Sequence, residues 1–179
     1  MRLSVRAWGW GALLCALFVG MFVLAHIRLG VSYLEDDAYI TYRYAANLAR
    51  GEGLVYNPGQ HVLGTTTPGY AALLGAAGVM FGADTIPAAS RIINALCMLI
   101  AGGCAYLIAQ RLTRSPLVAA LALGLPLLSY ETLYGSLAGM ESPLFLALLG
   151  VALLALVYGR TGPAALAAGM LALVRPEGA

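Results

Sequence analysis

The run WGWGALLCALFVGMFVLAHI, Trp8 to Ile27, decides how the chain is read. Apart from His26 it is apolar throughout, and about 20 helical residues are what the ~30 Å hydrocarbon core of a bilayer requires. Arg2 and Arg6 precede it, as basic residues precede a secretory signal. A signal, however, has an apolar region of only about 7–15 residues and ends in a small-x-small cleavage site, and none follows here. The run reads as an uncleaved signal-anchor, with a first span over residues 8–29.

The whole chain agrees with that reading. It is 61% hydrophobic and 10% charged, with a mean hydropathy of +0.84. Soluble domains carry about 25% charged residues, so most of this surface is not built for water. Four more apolar stretches follow, at residues 87–110, 116–130, 142–158 and 162–174. The expected fold is all-α: a polytopic transmembrane helical bundle forming one domain over residues 1–179. The stretches 116–130 and 162–174 are short for a span. Tyr70 to Phe81, shorter still, reads as an interfacial or re-entrant helix. The abundance of Gly and Ala suits close helix packing in lipid. Cys15, Cys97 and Cys104 all lie in apolar runs and read as small buried hydrophobes.

Arginine placement sets the orientation, because cytoplasmic loops collect basic residues. With the N-terminus inside, Arg2 and Arg6, Arg111 and Arg114, and Arg160 are cytoplasmic. Glu35, Asp36, Asp37, Glu52, Asp84, Glu131, Glu141 and Glu177 are outside. Arg28, Arg43, Arg50, Arg91 and Arg175 fall on or near the outer side against this rule, and anion binding is one reason to keep them there. The net charge is only +2 and no basic patch is interleaved with aromatics, so no nucleic-acid partner is expected.

The outer loop, residues 30–86, is the substantial polar segment. Ser32 and Glu35 fit a capping box. Asp36 to Arg50 reads as a helix stopped by Gly51 and Gly53, with Ile40, Tyr44 and Leu48 on one stripe and Tyr39, Arg43 and Asn47 on another. Asn57-Pro58-Gly59 is a turn signal.

Several residues there are of types that carry chemistry. Glu35-Asp36-Asp37 can simply complement a helix dipole, but adjacent carboxylates also repel, which is one way a carboxylate is primed to take a proton from a hydroxyl. Arg43 stands two helical turns after Asp36, and its fork matches phosphate oxygens as well as it would pair with those acids. Six of the ten tyrosines lie in the loop, Tyr39 among them. They suit a headgroup-level aromatic belt or a sugar-stacking platform. His61 is a candidate substrate contact or an ordinary surface histidine. Glu141, Arg175 and Glu177 stand at later outer ends, where ionisable residues snorkel or converge on a site. No compact ligand cluster calls for a metal.

Glu35-Asp36-Asp37-Ala38-Tyr39-Ile40-Thr41-Tyr42-Arg43-Tyr44-Ala45, followed by Asn47-Leu48-Ala49 and Gly51 to Gly59, resembles the start of GT-C fold glycosyltransferases that use polyprenyl-phosphate sugars. The likeness is greatest to bacterial members akin to the arabinofuranosyltransferases and the protein O-mannosyltransferases. It is strong over residues 31–75 and weaker to the C-terminus, where Gly139-Met140-Glu141 and Arg175-Pro176-Glu177-Gly178 also look like that group. The resemblance implies inverting transfer of a sugar from a polyprenyl-phosphate donor to a glycan or protein hydroxyl, at the outer face of a bacterial plasma membrane and with no further cofactor. It makes Asp36 the first choice for the base and Asp37 the second. It implies Arg43 and Arg175 as stabilisers of the phosphate, and Glu141 and Glu177 as groups that position sugar or acceptor. Enzymes of this kind have more spans and a C-terminal outer domain, so a truncated product or a piece of a longer protein is expected. The Gln60–Pro68 segment differs from the arabinosyl-like pattern and leaves the donor sugar open. The rival reading is a transporter or a non-catalytic membrane subunit, which would place its acids mid-span.

The orientation is testable in whole cells. A cysteine placed at Glu52 is expected to react with a membrane-impermeant maleimide from outside, and one at Arg114 only after permeabilisation; the reverse pattern would invert the topology.

Overall fold

The computed structural model describes residues 5–29, 35–60 and 64–175. Among these the secondary structure is entirely helical. The helices are α1 (Val5–Leu29), α2 (Asp36–Ala49), α3 (Pro68–Phe81), α4 (Ile86–Thr113), α5 (Pro116–Leu127), α6 (Tyr130–Leu137), α7 (Ser142–Val157) and α8 (Thr161–Val174), with a 3-10 turn at Ala83–Thr85 leading into α4. The capping-box residue Ser32, together with His61 and Glu177, lies outside the described residues.

α4 is the central helix. It packs along α7 on one side and α5 on another; α8 lies against α7, α1 against α5, and α2 against α3. One core cluster joins α1, α4 and α5 through Phe18, Met98, Tyr106, Leu123 and Leu127. A second joins α2 and α3 to the start of α4 through Ala38, Tyr42, Ala45, Tyr70, Leu74 and Ile86. Outside these contacts the helices show apolar side chains. On α4, Ile92, Leu96 and Ile100 form one exposed stripe at four-residue spacing, while Ala95 and Met98 face inward. Exposed apolar surface this continuous is foreign to a soluble monomer and natural against lipid tails.

The sequence predicts five spans, and the structure is more economical. Two helices are long and apolar enough to cross a membrane, α1 over Gly11–Arg28 and α4 with its leading turn over Ala83–Thr113. α5 and α6 would count as a third only as a pair bent by 51°. Pro126 sits in the last turn of α5, where its missing N–H weakens the ladder. Ser129 then caps α6 by accepting a hydrogen bond from Thr132 N at 3.2 Å. The chain therefore turns where unbroken apolar residues had suggested a straight run. α7 and α8, like α3, are apolar helices shorter than a span.

In lipid, burying an apolar side chain between helices brings little hydrophobic gain, and close packing holds helices together instead. The glycines mark the close approaches. A Cβ on Gly102 of α4 would stand 2.9 Å from Leu123 Cδ1 of α5, and one on Gly75 of α3 would stand 2.8 Å from Leu48 Cδ2 of α2. An equally tight case meets backbone: a Cβ on Gly69 of α3 would lie 2.8 Å from the Leu173 carbonyl oxygen of α8.

α2 begins at Asp36 with Glu35 in the cap position, and no side chain caps it. The helix expected over residues 36–50 is found, with Arg50 as its C-cap. Gly51 and Gly53 follow the helix at φ +83° and +86°, conformations in which a side chain would be strained. The buried residues of α2 are Ala38, Thr41, Tyr42, Tyr44, Ala45 and Asn47. Each expected stripe is buried in part: Tyr44 and Asn47 are buried, whereas Ile40 and Tyr39 are exposed.

Gly69→Ala is expected to destabilise the protein by about 1–3 kcal/mol, because a backbone carbonyl cannot move aside as a side chain can. Gly169→Ala on α8, where a Cβ meets nothing within 4 Å, should be neutral or stabilising by up to about 1 kcal/mol. Thermal unfolding of both variants in detergent checks the contrast.

Candidate functional site

The site begins with α2. Asp37, Ile40 and Thr41 are one turn apart and face the same way. They line a cleft of about 260 Å³ with residues 64–67, Met140 and Glu141. A neighbouring cleft of about 360 Å³ is lined by Glu35, Asp37, Glu131, Tyr134, Ala138 and Ser142, among others. Asp37 borders both. The N-terminal end of α2 is fastened to this place by Glu35 N, which donates to the Ala138 carbonyl at 3.1 Å. Asp36, one residue earlier, points about 100° away and borders neither cleft. The aspartate that meets the cavity is thus the second choice of the sequence reading.

Glu141 is 5% exposed. Its Oε1 lies 3.6 Å from Arg175 Nε, and Arg175 Nη1 donates to Ser142 Oγ at 3.2 Å. A carboxylate this buried needs a paired cation, and Arg175 supplies it from just beyond α8. Asp37, Glu141 and Arg175, scattered over the sequence, are brought to one end of the bundle. Hydroxyls complete the cleft. Thr41 Oγ1 and Thr67 Oγ1 are 3.2 Å apart, as are Thr65 Oγ1 and Thr67 Oγ1. The cleft offers two carboxylates and a row of hydroxyls, groups that hydrogen-bond a polyhydroxylated ligand, with Arg175 behind Glu141.

Below the cleft lies a polar network that the sequence reading missed. Ser90 Oγ donates to the Pro87 carbonyl at 2.9 Å, so the 2.6 Å bond to Tyr42 is donated by the Tyr42 hydroxyl. Tyr70 OH donates to Asn94 Oδ1 at 3.0 Å, and Asn94 Nδ2 donates to the Met140 carbonyl at 2.9 Å. Gly139 O lies within 3.4 Å of Tyr42 OH and within 3.3 Å of Tyr70 OH. Gly139 itself adopts φ +82°, which turns the chain so that successive carbonyls point into the network and Glu141 into the cleft. Burial pushes the Tyr42 phenol up to about 12, against smaller opposing effects of the Ser90 hydrogen bond and nearby Arg91. Tyr42 therefore stays protonated and keeps its donor. A signal for this network exists in the sequence: Ser90, Arg91 and Asn94 are strongly polar in an otherwise apolar helix.

The remaining candidates sit elsewhere. Arg43 Nε donates to the Tyr56 carbonyl at 2.8 Å and Nη2 to Asn57 Oδ1 at 3.1 Å. Its guanidinium also stacks on the Tyr56 ring at 4.6 Å. Asn47 Nδ2 donates to Val55 O and Tyr56 O, both at 2.9 Å. Gln60 N closes the Asn57-Pro58-Gly59 turn on Asn57 O at 3.1 Å, with Gly59 at φ +81°, as a type II turn requires. Arg43 and Asn47 thus clasp the 53–60 loop, and Arg43 does not border the Asp37 cleft. Tyr39 is half-exposed and meets Tyr42 edge-on at 5.6 Å. Among the described residues no group of three His, Cys, Asp or Glu side chains gathers as a metal site.

Asn94→Ala is expected to cost about 1–3 kcal/mol, since it strands the Met140 carbonyl and the Tyr70 hydroxyl together. Thermal unfolding measures it. Comparison with known protein families, with curated proteins and with solved structures finds no match to this chain.

Proposed function

We propose that the chain is a membrane glycosyltransferase of the GT-C type, which moves a sugar from a polyprenyl-phosphate donor to an acceptor hydroxyl at the outer face of a bacterial plasma membrane. In this reading α7 and α8 join the longer helices in a five-span bundle. The observation that carries the proposal is that Asp37 and Glu141 line one hydroxyl-lined cleft and Arg175 pairs with Glu141, from the three segments in which the sequence resembles that family.

The chemistry assigns Asp37, rather than Asp36, as the base. Its carboxylate accepts the proton of the acceptor hydroxyl. The freed oxygen forms a bond to the anomeric carbon from the face opposite the leaving group. The bond from that carbon to the lipid phosphate oxygen breaks, and the phosphate departs with the electron pair, which inverts the centre. Glu141, paired with Arg175, is placed to accept hydrogen bonds from sugar or acceptor hydroxyls, and the Thr41–Thr67–Thr65 row to exchange them. Arg43 is released from the phosphate role by its engagement with the 56–57 loop.

Asp37→Asn is expected to lower transfer from defined polyprenyl-phosphate sugars by about 10²–10⁴-fold, the range typical of a lost general base, while Asp36→Asn retains transfer within a few fold. The assay uses membranes expressing the longest reading frame that contains the chain. Unchanged transfer in Asp37→Asn would sink the assignment. No transfer by the unsubstituted protein with any donor would leave the transporter or subunit reading in place.

A further inference from the structure

Arg91 stands in the second turn of α4 and is 1% exposed. Arginine does not shed its charge in a protein, and a buried charge is ordinarily matched by a carboxylate. Among the described residues no carboxylate forms an ion pair with Arg91. Its Nη1 faces the imidazole of His26, 3.4 Å from Nδ1, while Nε and Nη2 have no hydrogen-bond partner. Those two nitrogens form one edge of the guanidinium, the edge that engages two oxygens of an oxyanion side by side.

The surroundings fit a phosphate group. His26 lies in the last turn of α1 and is exposed, its ring stacked on Phe22 at 6.1 Å. It offers a second nitrogen beside the guanidinium. Arg91 and His26 sit near the ends of the two helices that are long enough to span a membrane, where the headgroups of a bilayer lie. The neighbours of Arg91 on α4 are committed to the network under the cleft: Ser90 to Tyr42, and Asn94 to Tyr70 and Met140. Arg91 alone reaches across to α1.

We infer that Arg91 and His26 form a binding site for a phosphate group, held on the free Nε–Nη2 edge between α1 and α4. This site is separate from the Asp37 cleft, and its existence does not depend on sugar transfer. The phosphate belongs either to a lipid headgroup or to free phosphate in solution.

The test uses the full chain purified in a maltoside detergent, which carries no phosphate. Thermal unfolding and native mass spectrometry are followed with added inorganic phosphate, with phosphatidylglycerol, and with a phosphate-free glycolipid of the same chains. The melting temperature is expected to rise, and a bound adduct to appear, with phosphatidylglycerol if the source is a headgroup, or with inorganic phosphate if it is free. The glycolipid should do neither. Arg91→Met is expected to abolish the response and, without phosphate, to be at least as stable as the unsubstituted protein, because an unmatched buried charge is gone. His26→Gln, an exposed change that leaves the fold intact, should weaken binding about tenfold, the loss of one charge-assisted contact. The site is refuted if neither phosphate ligand moves the unsubstituted protein, if the glycolipid acts like phosphatidylglycerol, or if Arg91→Met or His26→Gln responds undiminished. Because these readouts need no donor or acceptor, they separate failure of this site from failure of the transferase assignment.

Discussion

Everything at the functional end hangs on the hydrogen-bonded cluster of Tyr42, Tyr70, Ser90 and Asn94 with the carbonyls of Gly139 and Met140. These groups are buried where water cannot serve them, so each must find its partner in the protein. That requirement ties α2, α3 and α4 to the 139–141 turn in a single arrangement, since sliding any one helix by a residue would strand several donors at once. Apolar packing between helices in lipid lacks such specificity. The polar cluster supplies it, and the cleft above inherits its shape.

The electrostatics divide the same end into two kinds of charge. Glu141 is buried and answered by Arg175, which makes it a fixed element of the cleft wall. Asp37 is exposed at the mouth, in contact with solvent. Arg43, which by residue type looked most suited to an anion, is spent on the 53–60 loop. The arginine with an unpartnered edge is Arg91, one of the arginines that the sequence placed near the outer side. Residue type proposes a role; the partners already taken decide it.

Much of the local structure was legible in the sequence. The start and stop of α2, the Asn57–Gln60 turn and the convergence of Asp37, Glu141 and Arg175 follow from glycine and proline placement and from charge alternation. What was not legible depends on contacts between distant segments. Periodicity finds stripes on α2 but cannot say where α3 will press, so the burial of Thr41 was not foreseen. The choice between Asp36 and Asp37 is the same 100° ambiguity. Apolar composition does not show the bend of 51° between α5 and α6, where Pro126 and the Ser129 cap stand.

The contact between Gly69 and the Leu173 carbonyl also has a mechanical side. Thr67, two residues before Gly69, supplies one wall of the cleft, and Arg175, two residues after Leu173, clamps the other through Glu141. The two walls are therefore linked through the close approach of α3 and α8. Widening the cleft to admit a bulky molecule would displace α3 against α8 there, where the Leu173 carbonyl leaves no room even for a Cβ on Gly69.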